Sequence, residues 1–215
     1  MSWSSGKDSA WALHLIRQDS RIELLGLFTV VNQRYNRVSM HGTRLEMLQQ
    51  QAKAVGLPLQ TINLPDPCTN EQSDAIMHQF VMESAANGIE CMAFGDLFLN
   101  DIRQYRENQL RGTGIEPIFP LWGTPTGELA EQMLSAGLEA YVSSVDLKKL
   151  QSRFAGRKWS RELIAKGSRG RGAGAQRPGE SGPGLRRSVR EDQAVRSGGE
   201  GGRVAVGTVL KTLER

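Results

Sequence analysis

The run Ser4-Ser5-Gly6-Lys7-Asp8-Ser9 constrains the fold more than any other stretch of the 215-residue chain. It comes after a short apolar lead-in, Met1 to Trp3, and opens into a helical pattern in which Trp11, Ala12, Leu15 and Ile16 share one face. A loop at such a strand-to-helix junction presents the unpaired N–H groups of the first helical turn and the positive end of the helix dipole, which together hold an anion. Gly6 lets backbone approach a phosphate closely, Lys7 adds a mobile positive charge and Ser9 can cap or donate. Asp8 beside a polyphosphate is repulsive unless a metal ion accompanies it. The spacing is not that of G-x-x-x-x-G-K-[ST], and no G-x-G-x-x-G occurs. Ser, Asp and Gly also serve ordinary helix starts, so the loop by itself leaves a plain N-cap open.

Beyond the loop, strand and helix patterns alternate. Ile22 to Val31 is apolar and β-rich, the pattern of a buried parallel strand, and residues 32 to 40 read as a polar loop. His41 to Val55 predicts a helix with Leu45, Leu48, Ala52 and Val55 on one face, stopped by Gly56 and Pro58. Leu59 to Leu64 predicts a strand, Asn70 to Asn87 a helix ended by Gly88, and Glu90 to Phe94 a strand. Leu97 to Leu110 (helix), Ile115 to Phe119 (strand), Thr126 to Ala136 (helix) and Ala140 to Val145 (strand) complete the pattern. Met1 to Trp3 is then the end of a first, central strand, although three residues is short against the usual five or so. Alternation of this kind predicts an α/β fold, a doubly wound parallel sheet with right-handed crossovers. Ligands of such sheets sit at the carboxyl ends of strands, at the point where strand order reverses. Three small or polar clusters fall at those ends: Ser4 to Ser9, Thr29 to Asn32, and Gly95-Asp96.

Charge is divided unevenly. Residues 1–165 hold 16 Lys and Arg against 18 Asp and Glu, residues 166–215 hold 11 against 5, and these make up the 27 and 23 of the whole chain. The basic balance therefore belongs to the last fifty residues, which also carry half of the 24 glycines and no aromatic residue. Such a segment is expected to be disordered, with Val204 to Leu213 as the part able to form a strand or helix. No apolar run approaches the roughly 18 residues of a membrane span, and no basic-apolar leader precedes the fold, so a cytoplasmic protein is expected. Cys68 and Cys91 form no C-x-x-C pattern and read as reduced thiols.

Ser2-Trp3-Ser4-Ser5-Gly6-Lys7-Asp8-Ser9, Met40-His41-Gly42-Thr43-Arg44, Ala93-Phe94-Gly95-Asp96-Leu97-Phe98 and Phe119-Pro120-Leu121-Trp122-Gly123 occur in this order. Together they resemble the diphthine-ammonia ligase family, of the PP-loop ATP pyrophosphatases and adenine nucleotide alpha hydrolases. The resemblance covers about residues 1–165. It implies a HUP-like ATP-binding domain, residues 1–114, followed by the start of a substrate domain, residues 115–165. It also implies an ATP-dependent reaction in which a carboxylate is adenylated and then amidated by ammonia, with ATP and Mg2+ required. The acyl substrate of the family is the diphthine side chain of elongation factor 2 in archaea and eukaryotes. Carried onto this chain, Ser4, Ser5, Gly6, Lys7, Asp8 and Ser9 would hold the phosphates, and backbone at Thr29 and Val30 would meet adenine. Gly95 and Asp96 would lie beside the ribose-phosphate, with Asp8 and Asp96 as carboxylates for Mg2+ and Lys7, Asp8 and Asp96 as the catalytic set. His41, Arg44, Arg103 and Arg106 would meet the acyl substrate or the departing diphosphate.

Ser5 stands where the family loop commonly has glycine, and a positive φ there would cost on the order of 1 kcal/mol. After Ile164 the likeness stops, Gly179-Glu180-Ser181-Gly182 being a faint echo of the family's second domain, so that domain is expected to be incomplete. The change in composition there motivates the hypothesis that residues 166–215 come from a shifted reading frame. Translating the two other frames of the coding DNA tests it, and failure to find Glu-Phe-His-Thr in either would end it. Plainer readings stand beside the functional ones: His14 as solvated surface, His41 as a helix cap, Asp96 as a turn residue, Arg103 and Arg106 as a salt-bridged helix face with Asp101 and Glu107, and Trp122 as packing. Other functions left open are a PP-loop enzyme acting on a different small acid or on tRNA, and an ATP-binding module without catalysis. Nucleic-acid binding through the Arg/Gly tail is the weakest, because the tail has no aromatic platform.

Overall fold

The computed structural model describes residues 1–34, 37–38, 43–145, 147, 151–169 and 205–208. The elements in chain order are α1 (Lys7–Ile16), β1 (Leu27–Asn32), β2 (Arg37–Val38), α2 (Leu45–Ala54), β3 (Leu59–Leu64), α3 (Asn70–Ala86) and β4 (Cys91–Ala93). They continue with α4 (Asn100–Leu110), β5 (Glu116–Ile118), α5 (Thr126–Ser135), β6 (Ala140–Ser144), a 3-10 turn at Ser152–Phe154, α6 (Arg161–Arg169) and β7 (Ala205–Thr208).

β3 pairs in parallel with β1 along its whole length, from Leu27 opposite Leu59 to Asn32 opposite Leu64. That fills one edge of β1, and Met1–Trp3 occupies the other. Phe28 N–H donates to Met1 C=O at 2.9 Å, and Trp3 N–H donates to Phe28 C=O at 2.8 Å. On its far side the same short segment reaches β4, through Ser2 N–H to Ala93 C=O at 2.8 Å, and β4 pairs in parallel with β5. The spatial order is therefore β3, β1, Met1–Trp3, β4, β5. Leaving aside the antiparallel β2, in chain order this is third, second, first, fourth, fifth, and the reversal falls between Met1–Trp3 and β4, as a doubly wound sheet requires.

Alternation along the strands puts side chains into two apolar layers. Leu27 and Ala93 join Trp3, α1, α2 and α5 on one face; Phe28, Met92 and Phe94 join α3 and Leu110 of α4 on the other. Burying the Trp3 indole, 1 % exposed, contributes about 4 kcal/mol of transfer free energy. Its Nε1–H donates to Gln51 Oε1 of α2 at 3.0 Å, a buried bond between residues 48 positions apart. Gln51→Leu would strand that donor in the core, and urea unfolding is expected to show a loss of about 1–3 kcal/mol. The same core takes in Leu121, Leu129, Met133, Ala140 and Trp159, so the segment after β5 packs directly on the first helix's layer.

Several boundaries differ from the sequence expectation. β1 starts at Leu27 rather than Ile22, because pairing starts only where Pro58 C=O and Met1 C=O supply acceptors to Leu27 and Phe28. Its carboxyl end is Asn32, so Thr29 and Val30 lie within the strand rather than at its tip. The expected polar loop after it contains β2, which pairs antiparallel with Val31 and Asn32. α2 begins at Leu45, since Arg44 is extended with ψ 141°, and α4 begins at Asn100, with Leu97 to Leu99 leading in as loop. The α3 start is fixed by a capping box: Thr69 Oγ1 accepts from Gln72 N–H, and the Gln72 side chain accepts from Thr69 N–H. Gly56 and Gly88 end α2 and α3 with φ of 68° and 80°, as their positions predict.

From residue 157 to 203 the sequence predicts no regular structure, yet α6 runs from Arg161 to Arg169; further on, β7 pairs antiparallel with β6. Residues 166–169 and 205–208 of the tail are thus structured, and β7 lies within Val204 to Leu213, the stretch able to form a strand. The expected disorder of the rest of the tail falls on residues 170–204 and 209–215, outside the described residues. Among the described residues no helix is long and apolar enough to cross a membrane, and Cys68 and Cys91 are not in a disulfide.

Candidate functional site

Trp3 is the last residue of the first strand to pair, and the chain leaves the sheet at Ser4. Ser5 then takes φ 63°, the single described non-glycine residue in the left-handed region, which turns the chain into α1. It is 1 % exposed, and its Oγ donates to Thr43 Oγ1 at 2.9 Å. Ser5→Gly removes about 1 kcal/mol of backbone strain but also a hydrogen bond of similar worth, whereas Ser5→Ala keeps the strain and loses the bond. Thermal unfolding is expected to place Ser5→Gly near the wild type and Ser5→Ala below both; the reverse order would contradict the strain.

Gly6 is the N-cap residue of α1, and its C=O accepts the first helical bond from Ala10 N–H at 3.1 Å. The amides of Lys7, Asp8 and Ser9 precede that bond and have no partner within the helix. Ser9 Oγ donates to Gly6 C=O at 2.8 Å, and Ser4 Oγ lies 3.3 Å from Ser9 Oγ, so the two hydroxyls brace the loop. Lys7 Nζ pairs with the Asp8 carboxylate at 2.5 Å, both side chains being partly exposed.

Gly95 comes directly after β4, across the switch point. A Cβ placed on it would lie 3.2 Å from Asp8 C, Asp8 O and Ser9 N, all backbone atoms. The two loops therefore meet with no room for a side chain, and Asp96 is the next residue. Thr29 sits one residue beyond Phe28, the last residue of β1 paired with Met1–Trp3, and it is 3 % exposed. Its hydroxyl is buried without a protein partner. A cavity of about 610 Å³ opens instead at the opposite, amino-terminal ends of the strands, where Leu24, Gly26, Ile89 and Cys91 line it. That cavity has charged groups of its own, Arg21, Glu23 and Glu90, but it lies at the strand ends opposite the loop that opens α1.

The predicted residues divide into groups. Ser4 to Ser9 and Gly95 are in one place, with Asp96 adjoining. Arg44 is exposed and is joined to the loop through its neighbour Thr43. Arg106 stacks on Phe94, its guanidinium 5.1 Å from the ring centroid, and its buried Nε has no partner. Arg103 is both surface pair and stack: its Nε donates to Glu107 at 2.7 Å, and its guanidinium lies 5.0 Å from Phe119 and 4.8 Å from Trp122. Phe28, Phe94, Phe119 and Trp122 form one aromatic row beneath these arginines. Gly123 N–H donates to Leu97 C=O at 2.9 Å and ties the Phe119–Gly123 turn to the Gly95-Asp96 loop. His41 lies outside the described residues. His14 stacks on Trp11 at 4.7 Å, so it is packed as well as wet.

Sequence reasoning misses Thr43 as a loop partner, Gln51 as the acceptor for Trp3, and Trp159, whose ring centroid is 5.9 Å from Lys7 Nζ. No spacing rule announces contacts of such separation. A long polar side chain such as Gln51 on the apolar face of α2 is the one available signal.

The residues present fit a triphosphate with a divalent ion. A helix start with open amides, a lysine and a glycine-lined approach suit the phosphates, and Mg2+ of this kind takes one or two carboxylates with phosphate oxygens and water completing its shell. Asp8 and Asp96 would be the two carboxylates available; no cluster of three or more His, Cys, Asp or Glu able to hold a metal occurs among the described residues.

A sheet wound in both directions, with a loop opening a helix at its switch point, defines a Rossmann-like α/β protein of the HUP type. Within that class the chain belongs to the family of the diphthamide synthase N-terminal domain, whose model matches residues 1–117. Membership points to a PP-loop enzyme that uses ATP. No match is found among curated proteins.

Proposed function

We propose that the protein is an ATP-dependent, AMP-forming ligase that adenylates a carboxylate and amidates it with ammonia, in the manner of diphthine-ammonia ligases. The observation that supports this reading is the close approach of Gly95 to the backbone of Asp8 and Ser9, which brings the two strand-end loops together at the switch point. Adenylation builds negative charge on the α-phosphoryl group and on the diphosphate leaving group. The amides of Lys7, Asp8 and Ser9 and the Lys7 ammonium would be held in place before the reaction to receive it. Thr29 and Val30 would border the adenine, and Asp8 and Asp96 would hold Mg2+, which would neutralise phosphate charge. Arg44, Arg103 and Arg106 would hold the acyl group or the diphosphate. Little covalent work falls to the protein, and no side-chain nucleophile is needed.

The acyl substrate would be elongation factor 2 in an archaeal or eukaryotic cytoplasm, and another acid elsewhere. The test is incubation with α-labelled ATP, Mg2+, ammonia and candidate acids. AMP together with an amide supports the proposal; AMP with another adduct assigns a different PP-loop activity. ATP bound but intact leaves a binding module.

A further inference from the structure

We propose that Trp159 is the positioning residue for Lys7, so that the phosphate site is completed by the segment after β6, well outside the matched residues 1–117. The inference rests on the reading of Lys7 as a phosphate ligand. Among the described residues, Lys7 Nζ meets groups of two different kinds. One is the Asp8 carboxylate at 2.5 Å, and the other is the indole face of Trp159 at 5.9 Å. A divalent ion at that carboxylate would draw on the same negative charge and loosen its hold on the ammonium. The indole would keep its hold on the ammonium whatever Asp8 binds. A π face attracts an ammonium without competing for phosphate oxygens and without adding negative charge beside them.

The backbone holds Trp159 firmly enough for this. Trp159 N–H donates to Ala140 C=O at 2.7 Å, and Lys158 bridges Tyr141. Val142 donates its N–H to Arg157 C=O and accepts from Gly156 N–H at its own carbonyl. The indole is 7 % exposed and packs in the same cluster as Trp3, Trp11 and Ala12, the layer from which α1 rises. Lys7 is at the first turn of that helix, so strand β6, the bend at 155–159 and α1 form one support for its ammonium.

The experiment compares the full chain with Trp159→Leu and Trp159→Phe. Binding of α,β-methylene ATP with Mg2+ and binding of AMP are measured by calorimetry. Lys7 would act on the outer phosphates, so Trp159→Leu is expected to weaken the triphosphate analogue about fivefold while AMP affinity stays as in the wild type. Trp159→Phe, which restores a weaker π face, should recover part of the loss. Equal weakening of AMP and analogue would mean general damage to the fold and overturns the inference, as does unchanged affinity for both. A wild-type protein that binds neither nucleotide sinks the parent reading of the site instead.

Discussion

Gly95→Ala is expected to weaken nucleotide binding by about tenfold, although only a methyl group is added. Gly95 does not occupy the left-handed region, so alanine meets no backbone strain there. The obstacle is space: the new Cβ would stand 3.2 Å from three backbone atoms of Asp8 and Ser9. Had those atoms been the tip of a flexible side chain, a rotamer change would have relieved the contact. Backbone at the first turn of a packed helix yields only by moving α1, whose Trp11, Ala12, Leu13 and Ile16 are each at most 5 % exposed. Overpacking of this kind costs about 1–3 kcal/mol of stability, visible as a lower midpoint in urea. The larger effect falls on the site, because even a small shift of the first turn of α1 moves amides away from the phosphate they should meet. Gly95→Val should be worse on both measures. Calorimetric titration with ATP and Mg2+ decides it; wild-type affinity in Gly95→Ala would show that the two loops do not form one site.

The contrast between Gly95 and Ser5 shows how far the chain can be read without its partners. Both lie at carboxyl ends of strands, and the alternating pattern alone places them there, because strand and helix periods survive without knowledge of neighbours. The left-handed turn at Ser5 is foreseeable from its place in a loop that elsewhere uses glycine, and φ 63° agrees. What the pattern cannot give is tertiary: that Thr43 bonds Ser5, that Gln51 accepts from Trp3, and that Trp159 comes beneath Lys7. Strand ends differ for a related reason. Ile22 to Gly26 are as apolar as a strand, but a strand exists only where a neighbour supplies hydrogen-bond partners, and those begin at Leu27. Equally, Arg37–Val38 look polar and loop-like, yet they lie against the edge of β1 and pair with it. Arg103 reads from the sequence as either a salt-bridged surface residue or a ligand, and it holds Glu107 while stacking on Phe119 and Trp122. A helical i, i+4 spacing predicts the first contact and is silent on the second.

Lys7→Met should lower the rate of AMP formation by about 100- to 1000-fold, while the unfolding midpoint stays close to that of the wild type. The two halves of this expectation come from different environments of one ammonium. In the free protein Lys7 pairs with Asp8 at the surface, with side chains 21 % and 34 % exposed, and an ion pair so placed contributes no more than about 1 kcal/mol. Methionine keeps the length and apolar stem of the side chain, so its packing near Trp159 persists. In the proposed adenylation the balance would change, because charge would develop on the leaving diphosphate next to the close approach of Gly95 and the first turn of α1. A fixed positive charge there is worth more in the transition state than in the bound substrate, so the loss should fall mainly on kcat rather than KM. Lys7→Arg keeps the charge but replaces a compact ammonium with a planar fork, and an intermediate rate is expected. Steady-state release of labelled AMP over a range of ATP concentrations separates the two parameters. A Lys7→Met protein with an unaltered kcat would remove Lys7 from the chemistry, and the loop would then be a helix cap and nothing more.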